Sequence, residues 1–114
     1  MHKFTPNCRL KCKSDYDLVF KNACKVVTSG FLILYINNRI NIARLGFAVR
    51  KKELPRAYQR NRVRRIIKES FRMQHLPPVD IVCLVKPGIA ILNNAQMFNE
   101  LAFIWRKLNT HAMH

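Results

Sequence analysis

Acidic residues are scarce. Asp and Glu number six against 21 Lys and Arg in 114 residues. A protein that binds catalytic metal ions gathers carboxylates around them, and these few fall in no such cluster. They also leave the cations largely unpaired, at a formal net charge of +15. Glycine is nearly as rare, with three residues, and there is no repeat or low-complexity segment. No apolar run approaches the ~20 residues of a membrane-spanning helix. Met1 to Lys13 is polar, with no apolar stretch of the signal-peptide kind, so no secretory signal and a cytoplasmic location are expected. The four cysteines, Cys8, Cys12, Cys24 and Cys83, lack the paired spacing of a zinc site. His2 lies near the first two, yet no second pair answers them. No metal site is expected, and the thiols of an intracellular chain stay reduced. His2, His75, His111 and His114 are too scattered to make a nucleophile–base arrangement.

What is present is a folded, very basic domain. The apolar fraction of 49% suits a globule with a core. With a pI near 10.5, the direct explanation is a polyanionic partner, nucleic acid before anionic membrane. The run Arg60-Asn61-Arg62-Val63-Arg64-Arg65-Ile66-Ile67-Lys68-Glu69-Ser70-Phe71-Arg72 concentrates that charge. Val63, Ile66, Ile67, Ser70 and Phe71 follow the i, i+3, i+4, i+7, i+8 spacing of one helical stripe. Arg60, Arg64 and Lys68 recur every four residues on another face, broadened by Arg62, Arg65 and Arg72. Only Glu69 offsets them, so pairing within the helix does not account for the row. Guanidinium forks suit phosphates. The helix lacks the Trp and Leu face of a membrane-surface anchor.

The rest of the chain punctuates itself. Residues 1–13 form a basic N-terminal segment. Ser14-Asp15-Tyr16-Asp17 reads as a capped helix start, with Tyr16, Val19 and Phe20 on one face and an end near Asn22. Strands are expected at Lys25–Thr28, Phe31–Ile36, Ala43–Arg50 and Val79–Lys86. The second and third are close in sequence, so an antiparallel hairpin is expected of them. The basic helix should run from Tyr58 to Gln74. A last helix, capped by Asn93 or Asn94, carries Phe98, Leu101, Ala102, Trp105 and Leu108. The order α-β-β-β-α-β-α implies an α+β fold, a two-layer sandwich of helices on a four-stranded sheet. It reads as a single domain over 1–114, with 109–114 a flexible tail. Phe31, Ile33 and Tyr35 point to one side of their strand. Rings beside cations are what single-stranded nucleic acid needs, so Tyr16, Phe20 and Tyr35 are candidate stacking residues.

These motifs together resemble the bacterial ribonuclease P protein family. The likeness runs from Arg9-Leu10 to Trp105. It includes Asp15-Tyr16, Val19-Phe20, Ala43-Arg44-Leu45-Gly46-Phe47-Ala48-Val49, Lys51-Lys52, Arg60-Asn61-Arg62-Val63-Arg64-Arg65, Phe71-Arg72, Asp80-Ile81-Val82 and Lys86-Pro87-Gly88. The resemblance implies a small subunit that binds a catalytic RNA and the 5′ leader of precursor tRNA. The RNA carries the Mg²⁺-dependent hydrolysis, and no protein residue is catalytic. It also implies a left-handed crossover between two strands, against the usual hand. Matched by position, Arg60, Asn61, Arg62, Arg64, Arg65 and Lys68 are the RNA-binding motif. Lys51 and Lys52 are the basic pair after the strand, and Tyr16, Phe20 and Tyr35 line the leader cleft. Arg50 stands where the family often has Ser, and Leu54-Pro55 where it often has Gly. Arg50 thus joins the candidate RNA contacts. The protein is expected to be monomeric without RNA and to have no membrane partner. The rival readings are a structural or ribosomal RNA-binding protein and a nuclease that acts without RNA.

Overall fold

A computed structural model of the chain describes residues 19–21, 23–38, 40 and 42–112, with side chains followed to residue 110. The described part of the first helix, α1, is 19–21. Then come β1 (Cys24–Val27), β2 (Phe31–Asn37), β3 (Arg44–Ala48), α2 (Ala57–Arg72), β4 (Val79–Val85), a 3-10 turn at Pro87–Ile91 and α3 (Asn94–Ala112). This is the expected order, an α+β fold around a mixed four-stranded sheet.

The hairpin expected of β2 and β3 does not form. The strand order is β1-β2-β4-β3. β4 lies between them, antiparallel to β2 and parallel to β3, and α2 is the crossover from β3 to β4. Burial supplies the reason. Every residue of β4 except Leu84 is buried, so both its faces are covered and it belongs inside the sheet. β3 exposes Ala48 and leaves Arg44 and Phe47 half-buried, which suits an edge. Covering the most apolar strand outweighs the closeness of β2 and β3 in sequence.

The register sorts the side chains into two faces. One carries Phe31, Ile33, Tyr35, Leu45, Ile81, Cys83 and Val85. It packs under Val63, Ile66, Ile67 and Phe71 of α2 and Met97, Leu101, Ile104, Trp105 and Leu108 of α3. The five residues of the α2 stripe are all buried, as their spacing requires. Ser70 is the one polar member, and it accepts a hydrogen bond from the Trp105 indole N–H at 2.7 Å. Phe71 meets the same indole edge-on, with centroids 6.1 Å apart. Burial pushes the Cys83 thiol far up from its ordinary value, so it acts as a small apolar side chain. The other face is a smaller cluster, in which Val19 of α1 covers Leu34 and Val82.

Two elements clamp the turn between β1 and β2. Just after β4, the Lys86 N–H donates to Gly30 O and the Lys86 ammonium to Thr28 O, each at 2.9 Å. A Cβ on Gly88 would stand 2.3 Å from Ser29 O, so that close approach requires glycine. From α3, Glu100 accepts from the Gly30 N–H at 3.0 Å and from the Ser29 hydroxyl. At the start of α3, the Asn93 N–H donates to Gln96 Oε1 and the Gln96 N–H to Asn93 Oδ1, a reciprocal cap.

Candidate nucleic-acid interface

With the stripe of α2 turned inward, its cations are turned outward, but to different degrees. Arg65 keeps 65% of its side chain exposed. Its only ion pair among the described residues, to Glu69 at 4.0 Å, is long and solvated. Asn61 is exposed and accepts from Arg64 Nη1 at 3.0 Å, so the two form a joined donor surface. Arg62 is half-buried, and its Nε is a buried donor with no hydrogen-bond partner among the described residues. A buried donor of this kind is costly until an acceptor reaches it. Arg60 is committed elsewhere: its Nη1 donates to Leu54 O at 3.0 Å and Pro55 O at 2.9 Å, tying the preceding loop to the helix. Lys68 is also half-buried, its ammonium 5.7 Å from the centroid of the Phe47 ring on β3. Tyr58, not singled out by the sequence reasoning, is 68% exposed. With Asn61, Arg62 and Arg65 it completes an i, i+3, i+4, i+7 face, a signal that was readable beside the apolar stripe.

The loop into α2 adds to this charge. Lys51 and Lys52 are exposed. Arg50 makes a two-bond pair with Glu53, Nη2 to Oε1 at 2.6 Å and Nε to Oε2 at 3.2 Å, yet 65% of its side chain stays exposed. The Arg50 hydrogen bonds hold the Glu53 carboxyl below the usual carboxylate range. Arg50 thus braces the loop while it still presents a cation.

The second feature lies on the α1 face of the sheet. Val27, Leu32, Leu84 and Ala48 are paired in one row across all four strands. Val27 and Ala48 are exposed, and Leu32 and Leu84 half-buried. Leu32, Leu84 and Ala48 floor an open groove of about 220 Å³, with Arg50 and Lys86 on its border. At the far end of the same face Arg44 and Asn38 converge on the buried Asp80, at 2.6–2.8 Å. That cluster braces the fold and leaves no open carboxylate.

The aromatic candidates fare unequally. Phe20 is 52% exposed on α1, next to Val19. Tyr16 lies outside the described residues. Tyr35 is on the other side of the sheet, 4% exposed and within the main core. Burial, with Cys24 beside it, raises its hydroxyl pKa. A ring under two helices cannot line an open cleft, so the stacking role expected of Tyr35 is corrected to a core role. Strand alternation separated the two faces; both were apolar, so it did not say which one the helices cover.

Among the described residues, no three His, Cys, Asp or Glu side chains come together to hold a metal ion. No helix among them is long and apolar enough to cross a membrane.

Comparison with known proteins agrees with this fold. The family model described as Ribonuclease P matches residues 4–109. The ribonuclease P protein component of Legionella pneumophila (strain Lens) is 41% identical over 110 residues, 96% of each chain. The structure of the Staphylococcus aureus RNase P protein matches with a TM-score of 0.83 at 28% identity, over 90% of this chain and 97% of that one. The RNase P protein from Thermotoga maritima shares the fold, with a TM-score of 0.77 at 24% identity, over 87% of this chain and 96% of its own.

Proposed function

The chain belongs to the ribonuclease P protein family, and from that premise we propose how its surface is divided between two RNAs. It is the protein subunit of a ribonucleoprotein endonuclease that removes the 5′ leader of precursor tRNA, with the RNA subunit carrying the chemistry. The outer face of α2, through Asn61, Arg62, Arg64 and Arg65, takes the phosphates of the RNA subunit, and Tyr58 adds a stacking plane. Lys51, Lys52 and Arg50 extend that surface. Arg60 and Lys68 belong to the same motif, but their contacts to the loop and to Phe47 give them a bracing share. The leader lies in the groove floored by Leu32, Ala48 and Leu84, with Arg50 and Lys86 for its phosphates and Phe20 beside it.

One observation carries this reading: α2 buries its full apolar stripe, and its exposed Arg65 has, among the described residues, only a long ion pair to Glu69. The RNA subunit and its substrate are both polyanions. A cationic protein surface between them lowers their repulsion and holds the leader against the catalytic RNA. The family is Mg²⁺-dependent. The described side chains gather no cluster of ligands for that ion, and RNA phosphates hold it. The protein binds and orients. It is monomeric without RNA and works in the cytoplasm.

The test is reconstitution. Purified protein is mixed with a separately transcribed RNA subunit and precursor tRNA at low Mg²⁺. Protein alone should not cleave, and the mixture should restore cleavage that the RNA lacks by itself. Cleavage by RNA-free protein through repeated purification, or failure to stimulate the RNA, would overturn the reading.

A further inference from the structure

We propose that the outer face of α3 is a second contact for the RNA subunit, taking an unpaired nucleotide on Phe103 with its flanking phosphates on Arg106 and Lys107. This rests on the reading above that the chain binds such a subunit. Phe103, Arg106, Lys107 and Thr110 stand at i, i+3, i+4 and i+7, so they share one face. Together they line an open groove of about 480 Å³. Arg106, Lys107 and Thr110 are exposed, and Phe103 is 41% exposed. The core does not require that ring. Leu101, Ile104, Trp105 and Leu108 already dock the helix and are wholly buried. The Lys107 ammonium sits 5.5 Å from the centroid of the Phe103 ring, a cation held at a stackable aromatic. No acid offsets these charges on the helix. Its single carboxylate, Glu100, is taken up by Ser29 and Gly30.

The position selects the partner. α3 packs on the same sheet face as α2, while the leader groove floor belongs to the opposite face. RNA on the outer face of α2 is on the side of α3; a leader in the groove is not. An acidic peptide would use the cations and leave the ring idle. A membrane would need a wider apolar face than one Phe.

The test compares full-length Phe103→Ala, Phe103→Leu and the double variant Arg106→Gln/Lys107→Gln with Arg65→Ala and the unaltered protein. Affinity for the RNA subunit is measured over a salt series, with urea midpoints as the folding control. Both Phe103 variants should weaken binding about 5- to 150-fold. Leu preserves the packing, so its midpoint should not move. The charge variant should make the salt slope shallower by about 1.5. Affinity for the leader should stay as it was. Unchanged RNA binding in all three, with Arg65→Ala weakened, would overturn this inference and leave the α2 reading intact. No binding by the unaltered protein would overturn the α2 reading itself. Loss in the charge variant alone would refute the stacking site. So would loss confined to leader-bearing substrate. The site would fall equally if only binding to phosphatidylcholine–phosphatidylglycerol vesicles were lost.

Discussion

Residues of one type do different work in this chain. Arg60 and Arg65 belong to the same basic run, yet Arg60 is tied to two loop carbonyls and Arg65 stands in solvent. Arg65→Ala should therefore lower affinity for the RNA subunit and reduce the salt slope by about one phosphate contact, ~0.7–0.9. Its unfolding midpoint should hold. Arg60→Ala should lower the midpoint as well, by about 0.5–1.5 kcal/mol of lost hydrogen bonding. Urea unfolding and salt titration of both variants separate the roles, and equal midpoints would refute the bracing role of Arg60. Tyr35 gives a second contrast. As a core ring, Tyr35→Ala should cost stability on the order of the 3–5 kcal/mol seen for buried aromatics. Affinity for tRNA with a leader, relative to leaderless tRNA, should be preserved in the variant that still folds. A stable Tyr35→Ala protein with lost leader discrimination would restore the cleft role. The arginine row was legible in the sequence because charge and helical period coincide there. The division of labour within it was not, because it depends on loop carbonyls that only the folded chain brings near.

Elements show how far patterns go. The α2 stripe and the four strands follow from period and composition, to within two residues at their ends. The cap of α3 is expected at Asn93 or Asn94, and the structure places it on Asn93, paired with Gln96. The clamp on the β1–β2 turn does not follow from pattern, since Glu100 lies some seventy residues from Ser29 and Gly30. Burial alone would raise the Glu100 pKa. Hydrogen bonds from Ser29, Thr28 and Gly30 and the charge of Lys86 outweigh it, and the carboxyl is held below its usual value. A depressed carboxylate pKa adds stability above the unfolded value near 4.3 and loses it as pH falls through the folded one. The clamp should therefore be complete at neutral pH and weaken in acid below about pH 4.3. Glu100→Gln should lower stability at pH 7 by about 1 kcal/mol, a figure reduced for solvent screening. It should also flatten the acid limb of the stability curve. Unfolding midpoints from pH 7 down to 3 check this, and parallel curves for both proteins would refute it.

At the scale of the whole molecule, the excess of 15 positive charges is a statement about partners. Binding to the RNA subunit should weaken steeply with salt. At least four phosphate contacts at ~0.7–0.9 each predict a log–log slope of about −3 or steeper. A slope shallower than about −1 would mean that the basic surface is not the interface.

Taken alone, the sequence determined the polyanionic partner, the α-β-β-β-α-β-α order and the inward stripe of α2. Charge, hydropathy and period act locally, so they can be read without coordinates. The tertiary structure decided that β4 stands between β2 and β3, because β4 needs cover on both faces. It decided which apolar face of β2 lies under the helices, and so which one is left to floor the groove. It also decided which arginines brace the fold and which face solvent. The first two outcomes turn on contacts between segments far apart in the chain, where burial of the most apolar surface outweighs local preference; the third turns on the bend of the loop into α2, which brings carbonyls five and six residues away within reach of Arg60.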